Sequence, residues 1–164
     1  TGLQNRRRFM EGLTHELARQ GRTQEPLCLV LIDADHFKEV NDVHGHDMGD
    51  DVLCSLARLL QDCVRSPTDL ACRLGGEEFA LILPDTDRTQ ALRVCARIRE
   101  QLAQMQFGET GRRFRLTVSM GVVECLGEPL PDCLREADAQ LYRAKDAGRD
   151  RVSAAPTGWQ ASHG

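Results

Sequence analysis

The sequence predicts a single α/β domain, a mixed sheet covered by helices. Three observations lead there. Segments with apolar residues at helical spacing alternate with short β-branched or continuously apolar runs. One hairpin, centred on Gly75-Gly76, interrupts that alternation in the middle of the chain. No internal repeat and no linker of low complexity divides the 164 residues, a length that suits one compact core.

From the N-terminus, Asn5 to Arg19 reads as a helix: Phe9, Leu13 and Leu17 share one face, Asn5 is the N-cap and Gly21 the stop. Leu27 to Ile32 is a continuous apolar run after a proline, hence a strand buried on both faces. "DHFKEVNDVHG" reads as a short helical turn breaking near Gly45. Asp47 to Val64 follows as a helix with a stripe of Val52, Leu53, Leu56, Ala57, Leu60, Cys63 and Val64. Leu70 to Leu74 and Phe79 to Leu83 form the hairpin arms. Asp87 to Met105 is a helix with Ala91, Cys95, Ile98, Leu102 and Met105 inward. Arg115 to Glu124 is a β-branched strand. Leu134 to Ala147 is an amphipathic helix closed by Gly148, and "RVSAA" is a short edge strand. Residues 156–164 are small and polar and are expected to form a frayed tail.

Composition narrows the function. The formal net charge of −4 argues against a nucleic-acid-binding surface, though not against a single nucleotide. No apolar run approaches the ~20 residues of a membrane span, so no direct membrane contact is expected. The seven cysteines are odd in number and form no C-x-x-C; they read as small buried hydrophobes in a reducing compartment.

The chemistry gathers around "RLGGEEFALILP". Gly75 and Gly76 suit a tight turn and leave the backbone open to a ligand. Glu77 and Glu78 follow at the bend. Taken alone, this stretch reads equally well as a plain hairpin with two surface glutamates. Asp33 changes the balance, because it ends the buried strand, and ligand sites in α/β sheets favour strand ends. A carboxylate there needs a partner or a metal. Asp33 with Glu77 and Glu78 makes an all-oxygen set that suits Mg²⁺. Asp35 reads as the N-cap of the "HFKEV" turn. The amides of His36, Phe37 and Lys38 open a helix end of the kind that binds phosphate. Asn41 and Asp50 have the donors and acceptors to read guanine. His44-Gly45-His46 lacks a third nitrogen or sulfur ligand, and His46 reads as structural or at a ligand's edge. Lys145 and Arg149, at i and i+4, lie on one face at a helix end, either as surface cations favoured by the dipole or as a clamp on polyphosphate.

Together "TGLQNRRRF", "LIDADHFKEVNDVHGHDMGD", "RLGGEEF", "LTVSMGV" and "ADAQLYRAKDAGRDRV" resemble the GGDEF family, the diguanylate cyclases, over nearly the whole chain. Glu77 stands where many members carry Asp. The resemblance implies a GGDEF domain over 1–155, with a mainly antiparallel sheet similar to the class III nucleotide cyclase core and the polymerase palm. It implies condensation of two GTP into cyclic di-GMP with release of two pyrophosphates. It also implies Mg²⁺, or Mn²⁺ in its place, and a homodimer that brings two GTP-loaded domains together. Carried over, Asp33, the Ala34 carbonyl and Glu77 hold metal, and Glu78 joins a second ion. Glu77 is also the base for the 3′-hydroxyl. Asn41 and Asp50 hold guanine with His46 beside it, and His36, Phe37, Lys38, Lys145 and Arg149 face phosphate. The family's inhibitory Arg-x-x-Asp reads as not intact, with Ser66 in the arginine position before Asp69. A cytoplasmic setting is expected from GTP as substrate, even for a membrane-anchored parent. The start at Thr1-Gly2-Leu3, inside the family's opening motif, implies an N-terminal sensory or dimerising part outside this fragment. The alternative reading is a GTP-binding regulatory module without turnover.

Overall fold

The computed structural model describes residues 2–65 and 67–160. Ten elements follow in order: α1 (Arg6–Thr23), β1 (Leu27–Ala34), α2 (Phe37–His44), α3 (His46–Cys63), β2 (Leu70–Gly75), β3 (Glu78–Pro84), α4 (Arg88–Ala103), β4 (Val118–Cys125), α5 (Leu130–Asp146) and β5 (Arg151–Ala154). The strands form one sheet in the order β2-β3-β1-β4-β5. Only β4 and β5 run parallel; every other neighbouring pair is antiparallel. The mixed, mainly antiparallel sheet expected from the sequence is therefore present.

All eight residues of β1 are buried, and their alternation feeds two cores. Cys28, Val30 and Ile32 pack with Leu53, Leu56 and Ile98 on the face covered by α2, α3 and α4. Leu27, Leu29 and Leu31 pack with Phe9, Leu13 and Leu141 on the face covered by α1 and α5. A strand sandwiched this way needs apolar residues at both parities, which is why it lacks the alternation of a half-exposed strand.

Several local expectations are corrected. Asn5 does cap α1, its side chain accepting from the Arg8 amide at 2.9 Å, but Gly21 does not end it. Gly21 lies in open space, so its lack of a side chain costs some helix propensity without forcing a stop. The helix closes at Gln24, in the left-handed region, with its amide on the Gln20 carbonyl. The "HFKEV" turn is a two-turn helix. α5 begins at Leu130, four residues before the expected start, because Pro131 is tolerated in a first turn whose amides lack helical partners anyway. The β-branched strand starts at Val118, leaving Arg115 to Thr117 outside it. Cys54 is half-buried and the other six cysteines are buried, and all seven are free.

The expected tail is also corrected in part. Trp159 is buried, and its indole N–H donates to the Glu124 carbonyl at 2.7 Å. Arg88 donates from Nε to the Ala155 carbonyl at 2.7 Å, holding the same segment against α4. The aromatic surface of Trp159 and these two bonds outweigh the small, polar composition around them. Residues 161–164 lie outside the described set.

Gly121 shows how closely α5 lies on the sheet. A Cβ there would meet the Leu141 amide nitrogen at 2.3 Å and the Ala137 carbonyl oxygen at 2.5 Å, both backbone atoms. Gly121→Ala should destabilise the domain by about 1–3 kcal/mol in urea unfolding, because the helix must move away. Gly21→Ala, in a solvent-facing helix interior, should stabilise it by about 0.5–1 kcal/mol in the same measurement.

Candidate active site

The end of the sheet formed by the last residues of β1, the β2–β3 hairpin and the end of α5 carries Asp33, Glu77, Glu78 and Lys145. The hairpin is tight because Gly75 pairs with Glu78, leaving Gly76 and Glu77 as the loop. Gly75 and Gly76 have φ of 145° and 52°, and a Cβ on either would meet nothing within 4 Å. The glycines thus serve backbone conformation and also leave an open approach to the loop. The Ala34 amide donates to the Glu77 carbonyl at 3.1 Å, tying the loop to the end of β1. Two arginines hold the same loop. Arg6 donates to the Leu74 carbonyl at 3.3 Å and Arg73 to the Gly76 carbonyl at 2.9 Å. On the outer side, the Arg73 amide donates to the Gln4 carbonyl at 2.8 Å.

Asp33 lies within β1 rather than beyond it, since pairing to both neighbours carries the strand to Ala34. It faces Glu78 across one ladder and Ser119 across the other. Its carboxylate is buried and receives the Lys145 ammonium at 2.5 Å. Burial raises the Asp33 carboxyl above its ordinary value, Lys145 pulls it back, and the carboxylates of Glu77 and Asp35 push it up again. Glu77 is half-buried in the turn, whereas Glu78 is exposed and lines a groove with Arg6, Leu31 and Asp138. Among the described residues no three His, Cys, Asp or Glu side chains gather closely enough to hold a metal. The oxygen set nevertheless fits a hard cation: Asp33 already binds the Lys145 ammonium, and Glu77 is near enough to repel it.

The guanine-reading candidates meet at the junction of α2 and α3. Gly49 is buried, and a Cβ there would overlap the Asn41 side-chain oxygen at 1.9 Å and touch the Phe37 ring at 3.1 Å. The glycine therefore makes room for Asn41, and Asp50, the next residue, is exposed at the same corner. His46 is exposed as the first residue of α3. Phe37, which is buried, and Lys38, which is exposed, open α2.

Two site expectations change. The N-cap position of α2 belongs to His36, at φ 55° and without a side-chain cap bond, not to Asp35. Asp35 turns instead to β4, accepting from the hydroxyls of Thr117 at 2.7 Å and Ser119 at 2.6 Å. Arg149 is not on a helical face with Lys145, because α5 ends at Asp146 and Gly148 turns the chain; Arg149 is exposed at φ 64°. Ser66 lies outside the described residues. Three residues on in the sequence, Asp69 is buried and its carboxylate accepts from the Arg65 amide at 2.8 Å and the Arg65 guanidinium at 3.1 Å, which also reaches the Pro84 carbonyl and the Thr86 hydroxyl. The hold of Arg6 and Arg73 on the loop carries no periodic signal in the sequence.

An open glycine hairpin and a buried strand carboxylate facing a lysine lie on a five-stranded mixed sheet flanked by helices, a cyclase-like α/β fold. The family described as "Diguanylate cyclase, GGDEF domain" matches residues 1–151, and the chain belongs to the GGDEF family. It is 42% identical over 161 residues to the diguanylate cyclase DgcM of Escherichia coli K12, covering 94% of this chain and 37% of that protein. It therefore spans little more than a third of that relative's length. Among solved structures, it resembles the active GGEEF domain of a diguanylate cyclase from Vibrio cholerae, with a TM-score of 0.87 and 35% identity over 95% of this chain and 99% of that one. It also resembles the GGDEF domain of DgcB from Caulobacter crescentus in complex with c-di-GMP, with a TM-score of 0.89 and 34% identity over 94% and 92% of the two chains.

The folded-state value of Asp33 is raised, so stability linked to this group is present below the ordinary carboxylate range and lost as pH rises through the folded-state value. A carboxyl-carbon NMR titration of the nucleotide-free protein should find Asp33 above the ~3.9 of a free aspartate. In Lys145→Ala it should move higher still. A midpoint at or below the ordinary value would contradict the balance of burial and pairing.

Proposed function

We propose that this domain is a diguanylate cyclase: it condenses two GTP molecules into cyclic di-GMP and releases two pyrophosphates. The observation that carries this reading is the buried Asp33–Lys145 pair beside an open Gly-Gly-Glu-Glu hairpin, in a chain of the GGDEF family. The Vibrio cholerae domain, described as active, carries the same GGEEF signature.

The roles proposed for the site residues are those the family resemblance implies. Asn41 and Asp50, at the α2–α3 corner, present an amide and a carboxylate to the guanine edge, with His46 beside them. Phe37 and Lys38 at the head of α2, with Lys145 and Arg149, meet the triphosphate; His36 supplies the entry to that helix. Asp33, the Ala34 carbonyl and Glu77 would hold Mg²⁺, or Mn²⁺, with Glu78 toward a second ion. Bound there, the metal would neutralise the triphosphate and acidify the attacking 3′-hydroxyl. Lys145 then exchanges a carboxylate partner for phosphate. Glu77, on the loop closest to Asp33, takes the 3′-hydroxyl proton. That oxygen attacks the α-phosphorus of the other GTP, and pyrophosphate leaves opposite it. One domain holds one nucleotide, so two copies face each other about a two-fold axis, and the second bond forms by the same step. Among the described residues no helix is long and apolar enough to cross a membrane. We place the domain in the cytoplasm, where GTP is available.

Asp33→Asn or Glu77→Gln should reduce cyclic di-GMP formation by about 10²-fold or more with Mg²⁺ and GTP, by analogy with lost transition-state donors. Product analysis by chromatography and a melting curve for each variant separate chemistry from folding. Normal turnover in either variant would overturn the site. GTP binding without turnover in the unmodified protein would favour a regulatory module instead.

Asp50→Ala should erase about 1–3 kcal/mol of preference for GTP over ATP, because the guanine N–H donors lose their acceptor. Calorimetric titration of both nucleotides reads this directly. Retained preference would move guanine recognition elsewhere.

Cyclic di-GMP should not inhibit the initial rate at micromolar concentration. Asp69 is occupied by Arg65, and a serine cannot supply a bidentate guanidinium contact. Tight inhibition abolished by Asp69→Ala would show the opposite.

A further inference from the structure

Asp35 is a buried carboxylate that none of these steps uses. Among the described residues no cationic side chain pairs with it; it accepts from the Thr117 hydroxyl at 2.7 Å, the Ser119 hydroxyl at 2.6 Å and the Asp150 amide at 3.0 Å. Its own amide donates to the Thr117 carbonyl at 2.9 Å. Burying a charge among neutral donors is unfavourable unless its lone pairs are met, and here three donors meet them.

The third donor stands out. Arg149 and Asp150 are consecutive non-glycine residues in the left-handed region, at φ 64° and 48°. Such residues persist only where surrounding bonds over-determine them. Here the Arg149 amide is held by the Ala144 carbonyl at 3.0 Å and the Asp150 amide by Asp35. From outside, Arg99 grips the Asp150 carbonyl at 2.7 Å and its carboxylate at 3.1 Å. The two aspartates of Asp33-x-Asp35 therefore bracket one turn. Asp33 holds Lys145 on its near side, and Asp35 holds Asp150 on its far side. Arg149 lies between these anchors.

We infer that Asp35 is a positioning residue: by accepting the Asp150 amide it fixes the left-handed turn that carries Arg149, just after the helix whose Lys145 is held by Asp33. This role rests on the reading of Arg149 as a phosphate-binding residue. Asp35 touches no reacting atom; it sets where the guanidinium stands relative to the end of β1. Small displacements matter because a bidentate guanidinium contact depends on orientation as well as distance.

The test combines amide hydrogen exchange with nucleotide affinity on the whole chain. In Asp35→Ala, exchange at Asp150 should rise at least about tenfold while the amides of β1 and β3 stay protected. The dissociation constant for GTP with Mg²⁺ should rise about tenfold, and the same substitution in an Arg149→Ala background should add little, because the two act as a unit. Asp35→Asn keeps an acceptor for the Asp150 amide and a donor for Ser119, and should restore both readouts to within about threefold of the unmodified protein. If Asp35→Ala does not fold, Asp35→Glu keeps charge and acceptors but shifts them by a methylene, and should show the same coupling to Arg149. Unchanged exchange at Asp150, or an equal loss of affinity with and without Arg149, overturns the role. A protein that binds GTP with this coupling but makes no cyclic di-GMP overturns the proposed activity and leaves the positioning role standing. A protein that binds no GTP overturns both.

Discussion

Strand β1 is paired along both edges, to β3 on one side and β4 on the other, and this double pairing sets the geometry of everything that surrounds it. An interior strand cannot slip by one residue without turning a whole apolar face toward the wrong core. Its register therefore fixes Asp33 opposite Glu78 and opposite Ser119 at once. The carboxylate at the strand's end is placed by the hydrophobic effect acting on Leu27 to Ile32, and not by any flexibility of its own. A buried carboxylate held this way needs partners for its lone pairs, and Asp33 takes the Lys145 ammonium.

The hairpin solves a complementary problem. A site for a bulky charged ligand needs bare backbone, yet bare backbone is the part of a protein most ready to move. Gly75 and Gly76 provide the openness, while Arg6, Arg73 and the Ala34 amide grip the surrounding main chain. Access and rigidity thus come from different residues. The same division appears at Gly49, where an absent side chain allows Asn41 to lie close to the neighbouring helix.

Much of this was legible in the residues. The apolar run of β1, the paired glycines, the stripe of α3 and the Asn5 cap each have one local physical explanation, and each reads through. What did not read through depends on contacts distant in sequence. Asp35 looks like a helix cap to its near neighbours and becomes a cross-sheet acceptor only because Thr117 and Ser119 arrive from the other half of the chain. Arg149 looks like a helical neighbour of Lys145 until Gly148 ends the helix between them. Trp159 sits in a composition that suggests fraying, and its burial depends on a carbonyl of β4. Gly21 fails as a stop for a simpler reason: a glycine permits a helix to end but does not require it.

Trp159 is the only tryptophan in the chain. Its indole is buried and bonded to the Glu124 carbonyl, while the Glu124 carboxylate accepts from the Arg88 amide at 3.0 Å at the head of α4. The sole strong indole fluorophore therefore sits where the C-terminal segment, an interior-facing strand and a helix start converge. Its emission reports the integrity of the far end of the sheet, away from the glycine hairpin. The protein carries its own optical gauge of folding, set at the other end of the sheet from the hairpin.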